Sequence, residues 1–513
     1  MNGNISQALK GLENILGRKY IEVDQDNLRK MSSNTLGLKR QIFAVVYPES
    51  TCQVKELVEI ANMCRVTLYP ISRGKNIGYG EKLPVSDGQI IVDLKRMNRI
   101  REFDDVLGYV VLEPGVTQSQ LFEFLNQEQA LFWPDATGAG LESSIVGNTL
   151  EGGFGHTPKG NRRAQVSDIE IVLGNGSVLN TGSFPGLGPD LTGAFIQSNY
   201  GIVTSLKMEL MPIPERFETF IISIQDNSGL EPLVETLRPL RQQGVLSSLV
   251  HIANATRYLV STQRCPEEYK DRLLSCEEAA IIMSSSLVKV GYWGATGGIY
   301  GSSQEVKARK KEIKKAFNGL GAVTFFNDEK INSIIRIAGN PLLRRTRLAS
   351  MLSKRVRSYK HIHGLMKGVP SDEPLNNIQW RVDNYDDMGL IWYSPTVEAK
   401  GDDVRKVVAT SEGLYEKYGF EMPITLTLVE PGQVIGILSI SFNKNNAEEK
   451  ERAYELYNSL KCEFSENDIE PYRAGIIGMK EIRYRHEGKN KTFKELKRTF
   501  DPNNIIAPGR YGM

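Results

Sequence analysis

At 513 residues the chain is too long for one ordinary core, and roughly 150 residues per domain leads to an expectation of two or three units. Apolar residues make up 40% and charged residues 24%, an ordinary globular composition, and 63 Lys and Arg against 61 Asp and Glu leave a formal charge of +2. That near-balance removes the electrostatic argument for a nucleic-acid or membrane partner.

The N-terminal stretch MNGNISQALKGLENILGRKY lacks the long apolar core of a secretory signal, and a cytoplasmic location is expected. FAVVYPES is a short β-rich run closed by Pro48. Thr51 to Cys64 then places Val54, Leu57, Val58 and Ala61 at helical spacing, and VTLYPIS follows as a strand. Phe43 to Ser72 therefore reads as a strand–helix–strand unit. Further strands are predicted at Gln89–Leu94, Tyr109–Glu113 and Asp168–Leu173, the last turning at Gly174-Asn175-Gly176 into Ser177–Thr181. From about Glu215 glycine thins out. Helices at Pro232–Gln242, Gln304–Leu320 and Asp403–Tyr418 are predicted to alternate with strands such as Thr219–Ser223 and Val288–Trp293, as in a second, α+β unit. Pro423 to Phe442 is apolar but broken by Glu430, Pro431 and Gly432. It reads as two buried strands and a turn, not a membrane span. Five scattered cysteines without a C-x-x-C pair argue against a disulfide framework and a zinc site, and no metal is expected.

Three segments carry the chemistry. Ser72-Arg73-Gly74-Lys75-Asn76-Ile77-Gly78-Tyr79-Gly80 follows a strand, and its three glycines allow backbone angles and close approaches that a Cβ forbids. Successive N–H groups in such a turn make a nest for phosphate or pyrophosphate, although a plain glycine-rich turn has the same composition. The second segment runs from Ser144 to Gly160 through Val146, Gly147, Asn148, Gly152, Gly153, Gly155 and His156. Its small residues suit a backbone lying against a large planar ligand. The third, Gln197 to Thr204, includes Ile202 and Val203 and leads into a strand ending at Met211-Pro212.

In order and spacing these segments resemble the flavin-binding domain of the vanillyl-alcohol oxidase/4-cresol methylhydroxylase family. SRGKNIGYG with the following VDLKRMNRI and LEPGV resembles its pyrophosphate loop. VGNTLEGGFGHTPKG and IQSNYGIVT resemble its two flavin-lining segments, and DPNNIIAPGRYG its closing signature. The resemblance implies an α+β fold with a two-part FAD-binding domain, residues 1–215 and 469–513, and an inserted cap domain, residues 216–468. It implies FAD held by the residues named above. Asn76, Gly78 and Gly80 would lie near the pyrophosphate, Ile202 beside the ring, and Arg510 as a positive charge near the flavin. A homodimer is implied as well, as is an electron acceptor that is either oxygen or a redox protein.

In phenol-oxidising relatives a tyrosine of the pyrophosphate loop joins a Tyr-Arg pair near the C-terminus to grip a phenolate. Here Tyr79 and Tyr472-Arg473 stand in those places. The resemblance thus implies hydride transfer to FAD from the benzylic carbon of a para-substituted phenol, through a quinone-methide-like intermediate. Taken singly, Tyr79 also reads as a semi-buried aromatic and Arg473 as a salt-bridge partner. The sequence departs from the family elsewhere. The histidine and tyrosine that tether the flavin in relatives fall on Leu390 and near Ile378, so FAD is expected to be non-covalent, with Tyr385 as an alternative tether. The aspartate that serves oxidases falls on Ala139, leaving Asp135 and Glu142 as the nearest carboxylates. Paired cap-strand histidines are replaced by Gly432-Gln433-Val434. His156 takes a tyrosine's place and is expected to face the flavin, His361 and His363 read as a strand or surface pair, and His251 and His486 have no special context. Two other readings stay open: an FAD enzyme acting on a non-phenolic alcohol, amine or hydroxy acid, and a flavin-binding protein without turnover.

Overall fold

The computed structural model describes residues 3–182, 187–284, 291–338, 359–376, 378–484 and 486–513. The strand–helix–strand unit begins a four-stranded sheet ordered β1 (Ile21–Glu22), β2 (Ile42–Val46), β4 (Gln89–Asp93), β3 (Leu68–Ile71), in which β2 and β3 both run parallel to β4. Helix Thr51–Cys64 makes the crossover. Ser50 caps its first turn through Gln53 N, Arg65 ends it in the left-handed region, and Val54, Leu57 and Val58 are fully inaccessible. Each such side chain contributes roughly 1.5–3 kcal/mol by leaving water.

A five-stranded antiparallel sheet follows, ordered β5 (Ile100–Asp104), β6 (Tyr109–Leu112), β10 (Gly201–Glu209), β8 (Val166–Leu173), β9 (Val178–Asn180). The hairpin predicted at Gly174–Gly176 joins β8 to β9. β7 (Phe132–Trp133) pairs with β11 (Met211–Pro212). The C-terminal segment returns to this half of the molecule. Leu68 N donates to Ile505 O and Ala507 N to Leu68 O, so Ile506 bridges the free edge of β3. Lys497, itself buried, ties the same segment down by donating to Asn199 O, Ile506 O and Asp501.

Residues between these parts build an antiparallel sheet. Its order is β15 (Ala322–Phe326), β12 (Arg216–Ile224), β14 (Trp293–Gly301), β13 (Val250–Asn254), β18 (Ile424–Glu430), β19 (Gln433–Asn443), β16 (Met388–Tyr393), with β17 (Thr396–Glu398) beside β19. β18 and β19 are the two strands and turn read from Pro423 to Phe442. Helices Leu230–Gln242, Ser303–Ala316 and Gly401–Tyr418 lie where the periodicity put them. The strand predicted at Val288–Trp293 is displaced. Residues 285–290 lie outside the described ones, and the strand itself is β14, which begins at Trp293. Its sequence, WGATGGIYG, is glycine-rich because neighbouring rings cross its backbone. A Cβ at Gly294 would stand 2.7 Å from the Tyr258 ring, and one at Gly297 2.6 Å from that of Phe220. No helix among the described residues is long and apolar enough to cross a membrane.

Candidate active site

The glycine loop after β3 is folded by its own backbone. Ile77 N donates to Lys75 O, and Tyr79 N and Glu81 N both donate to Asn76 O, with Gly74, Gly78 and Gly80 at φ +62°, +75° and +121°. The loop is clamped by Gly78 N donating to Thr35 Oγ1 at 2.9 Å and Trp392 Nε1 to Ile77 O at 3.0 Å. Gly78 and Gly80 are required by the packing around the loop: a Cβ would fall 2.3 Å from Trp392 and 2.7 Å from Ile476. On its inner side the loop borders a cavity of about 490 Å³ that reaches the large antiparallel sheet.

Ser72, Arg73, Gly74, Lys75, Asn76 and Ile77 line this cavity, and Tyr79 does so too. From the second segment come Val146, Gly147, Asn148 and His156. They sit on or after the short helix Ile145–Leu150, which Ser144 caps by accepting from Gly147 N at 2.8 Å. From the third segment comes Val203, and from the C-terminus Arg510, paired with Glu151. The other expected contacts are not in the wall. Ile202 points the opposite way from Val203 along β10, is fully inaccessible, and packs in the core beside Val172. Gly152, Gly153 and Gly155 stand behind the wall, where a Cβ would strike Gln197, Asn148 and Asp135 respectively.

The three residues expected to grip a substrate oxygen are brought together from both ends of the chain. Ile476 N donates to Tyr79 O at 3.0 Å and Tyr472 N to Ser394 O at 3.0 Å, which docks the Tyr472-Arg473 segment on the glycine loop and on the turn after β16. The Arg473 guanidinium lies 4.0 Å from the centre of the Tyr79 ring and bonds Asn76 Oδ1. The Tyr79 hydroxyl lies 3.2 Å from Ser394 Oγ. Burial first, and Tyr472 second, push the Tyr79 phenol well above its ordinary pKa against the opposing pull of Arg473. Tyr79 is therefore a neutral donor at any working pH. Arg473 is buried with its Nε unpartnered among the described residues.

Neither sequence-nominated carboxylate faces the cavity. Asp135 is buried in a closed network: it accepts from His156 N, Thr157 N and Thr157 Oγ1, and pairs with Arg162 Nε at 2.9 Å. Glu142 is turned outward onto Arg73. The cavity has two other carboxylates in its wall, Glu81 and Glu151. Glu81 accepts from Thr35 N and Oγ1, and burial raises its pKa. Tyr385 is 49% exposed and is absent from the cavity wall.

The sequence reading missed His251. It lies on β13 opposite Thr427, lines the cavity, and its ring centroid is 4.5 Å from that of His156. A histidine pair is thus present in the wall, assembled from β13 and the second segment, while Gly432 and Gln433 are exposed at the β18–β19 turn. His156 Nδ1 lies 3.1 Å from Ala136 O and must donate to it, leaving Nε2 with a free lone pair. His251 Nδ1 bonds Thr427 Oγ1 at 3.1 Å, and its Nε2 is buried without a partner among the described residues. Desolvation is the main cause that lowers the pKa of both rings. They are neutral imidazoles at neutral pH. The only local signal for His251 was a polar residue on an otherwise apolar strand. His361 and His363 form neither a strand nor a surface pair. They lie in the helical residues 359–365, where His361 lines the cavity and His363 is 1% exposed and bonded to Thr219 Oγ1.

A long cavity between a glycine-rich backbone wall and a strand wall, with buried unpartnered donors at Arg473 and Arg510, fits a large planar ligand carrying a pyrophosphate. At Gly147 a Cβ would stand 2.2 Å from Ser72 Oγ and fill the cradle between the first two segments. Fold and site together define a flavoprotein oxidoreductase. Residues 43–182 match the FAD binding domain family. Over 99% of its length the chain is 30% identical to 1'-carboxy-chondrochloren decarboxylase of Chondromyces crocatus, covering 97% of that protein. It is 28% identical over its whole length to the 4-cresol dehydrogenase [hydroxylating] flavoprotein subunit of Pseudomonas putida, covering 96% of it. The crystal structure of p-cresol methylhydroxylase with substrate bound superimposes with a TM-score of 0.89 at 27% identity, covering 100% of this chain and 98% of that one. An isoeugenol complex of 4-ethylphenol oxidase from Gulosibacter chungangensis gives 0.88 at 25% identity with the same coverage. The chain belongs to the vanillyl-alcohol oxidase/4-cresol methylhydroxylase family of FAD-dependent oxidoreductases.

Proposed function

We propose that the protein oxidises a para-substituted phenol at its benzylic carbon, passing through a quinone-methide-like state of the substrate. The observation that carries this reading is the convergence of Tyr79, Tyr472 and Arg473 in one wall of the cavity, with Arg473 over the Tyr79 ring. A benzylic carbon gives up hydride readily only when the ring oxygen is deprotonated and can push electrons through the ring. One guanidinium and two hydroxyl donors stabilise that phenolate and lower the pKa of the bound phenol. They also fix the ring, which holds the benzylic carbon in one place. The Ser72–Gly80 loop, Gly147, Asn148, Val203 and Arg510 would hold FAD without a covalent bond, and FAD would supply the hydride acceptor. His156 and His251 are the proposed acid–base groups, because they are neutral, face the cavity and offer nitrogen lone pairs. Residues 1–215 and 469–513 are read as the FAD-binding domain and 216–468 as the cap. The electron acceptor is oxygen or a redox protein, and the assembly a homodimer.

A second reading, oxidation coupled to loss of carbon dioxide from a carboxylated phenol, is favoured by the full-length similarity to a decarboxylase. The test of the first is anaerobic reduction of the flavin by a 4-alkylphenol. Tyr79→Phe and Arg473→Ala should each slow it by about 10–100-fold, in line with roughly 1.5–3 kcal/mol for a hydrogen bond to a charged group. FAD should remain bound. Reduction of Arg473→Ala at the wild-type rate would transfer the reading to a non-phenolic alcohol, amine or hydroxy acid.

A further inference from the structure

The cavity contains a cation that nothing in the phenol reading uses. Arg257 stands in the first turn of helix Ala255–Thr262, directly after β13, and lines the cavity with Tyr258 and Ser261. Its backbone is fixed, with Arg257 N donating to the capping Asn254 Oδ1 at 2.9 Å. Its guanidinium has no ion-pair partner and no hydrogen bond among the described residues. Its one neighbour of note is the Trp392 ring, at 5.7 Å from Cζ to centroid. The other arginines in the wall differ: Arg73 holds Glu142, Arg510 holds Glu151, and Arg473 bonds Asn76. Burial alone, with no carboxylate nearby to oppose it, lowers the Arg257 pKa to about 10. It remains charged at neutral pH. A partly buried cation without a counter-charge is costly, and such groups persist where a ligand supplies the missing anion.

We propose that Arg257 is the anchor for a carboxylate on the side chain of the substrate, so that the protein's substrate is an anionic para-substituted phenol rather than an uncharged alkylphenol. The inference rests on the phenol reading and adds a second recognition point to it. A planar guanidinium pairs with a carboxylate through two parallel N–H···O bonds, and one such group neutralises one negative charge. Trp392 links this anchor to the glycine loop, since its Nε1 donates to Ile77 O. A substrate bound by both cations of this wall would have its phenolate oxygen at Arg473 and its carboxylate at Arg257. The His156–His251 pair lies in the wall of the same cavity.

The test uses the FAD-loaded enzyme and its Arg257→Gln and Arg257→Lys variants, with flavin content measured first. Flavin reduction is followed anaerobically with 4-hydroxyphenylacetate, 3-(4-hydroxyphenyl)propionate and 4-(4-hydroxyphenyl)butyrate, each beside its primary amide, and with 4-ethylphenol. Wild type should bind at least one acid more than about 10-fold tighter than its amide. Arg257→Gln should erase that preference while leaving FAD content and reduction by 4-ethylphenol within about 3-fold, and Arg257→Lys should restore part of it. Equal affinity for acids and amides in wild type would overturn the anchor, as would loss of FAD from Arg257→Gln, which would assign the guanidinium to the cofactor. If 4-ethylphenol still bleached the flavin in either case, the phenol reading would survive. Conversely, 3-phenylpropionate perturbing the flavin spectrum in wild type but not in Arg257→Gln, with no phenol oxidised, would keep the anchor and remove the phenol reading.

Discussion

Removing the carboxylate of Asp135 should cost stability before it touches chemistry. The side chains of Asp135 and Arg162 are 2% and 0% exposed, and their ion pair is 2.9 Å long. Asp135 also accepts from two backbone N–H groups and one hydroxyl, while Arg162 continues the network to Asn148 Oδ1 at 3.0 Å and to Gln118 Oε1 at 3.3 Å. Asp135→Ala leaves a buried guanidinium without a counter-charge, a class of change that costs about 3–5 kcal/mol. With a urea dependence near 2 kcal/mol per molar for a domain-sized unit, the unfolding midpoint should fall by roughly 2 M. Asp135→Asn keeps an acceptor for the backbone N–H groups and should lose less. The assay is urea unfolding followed by tryptophan fluorescence, with flavin retention read in parallel. Because Asn148 lines the cavity, flavin release should accompany unfolding. A midpoint within ~0.3 M of wild type, combined with abolished flavin reduction, would refute the reasoning and return Asp135 to the list of catalytic groups.

Gly78→Ala should weaken FAD retention by 10-fold or more, since its Cβ would meet Trp392 at 2.3 Å from a backbone at φ +75° and displace the loop; fluorescence titration of the apoprotein with FAD checks this. Acid precipitation should release the flavin into the supernatant, because Leu390 and Ile378 offer no bond-forming atom and Tyr385 is not in the cavity wall; yellow protein in the pellet would contradict it. Burial lowers the His363 pKa from 6.5 to about 4. The unfolded chain therefore binds the extra proton first, and the stability contributed by the neutral ring is complete above pH 6.5 and lost as pH falls toward 4. The full difference is on the order of 3 kcal/mol. His363→Gln should flatten urea midpoints measured across that window, and an unchanged slope would show that another group sets it.

Much of the flavin half was legible because its signals are local. The helix from Thr51, the hairpin at Gly174–Gly176 and the glycine loop each depend on residues within one turn or strand of each other. The placement of Tyr79 beside Arg473 was legible only through resemblance, since 394 residues separate them in the chain. Where the reading failed, the cause was tertiary. β14 is glycine-rich because the Tyr258 and Phe220 rings cross it, and no strand propensity reports that. Ile202 and Val203 were both assigned to the cofactor, yet strand alternation sends only one of them to the cavity. Asp135 looked available because a lone carboxylate in a small-residue loop gives no hint of Arg162 waiting behind it. His251 and Arg257 were passed over for the opposite reason: each is a single polar residue in or just after a strand, and only the folded sheet turns them into one wall with His156.

The most direct test of the account is an anaerobic titration of the purified, FAD-loaded protein with a 4-alkylphenol, monitored in the visible flavin band. The band should bleach, and should bleach far more slowly in Arg473→Ala with the same flavin content. A flavin that remains oxidised with every phenol, while an alcohol, amine or hydroxy acid bleaches it, would contradict the phenolate reading of Tyr79, Tyr472 and Arg473.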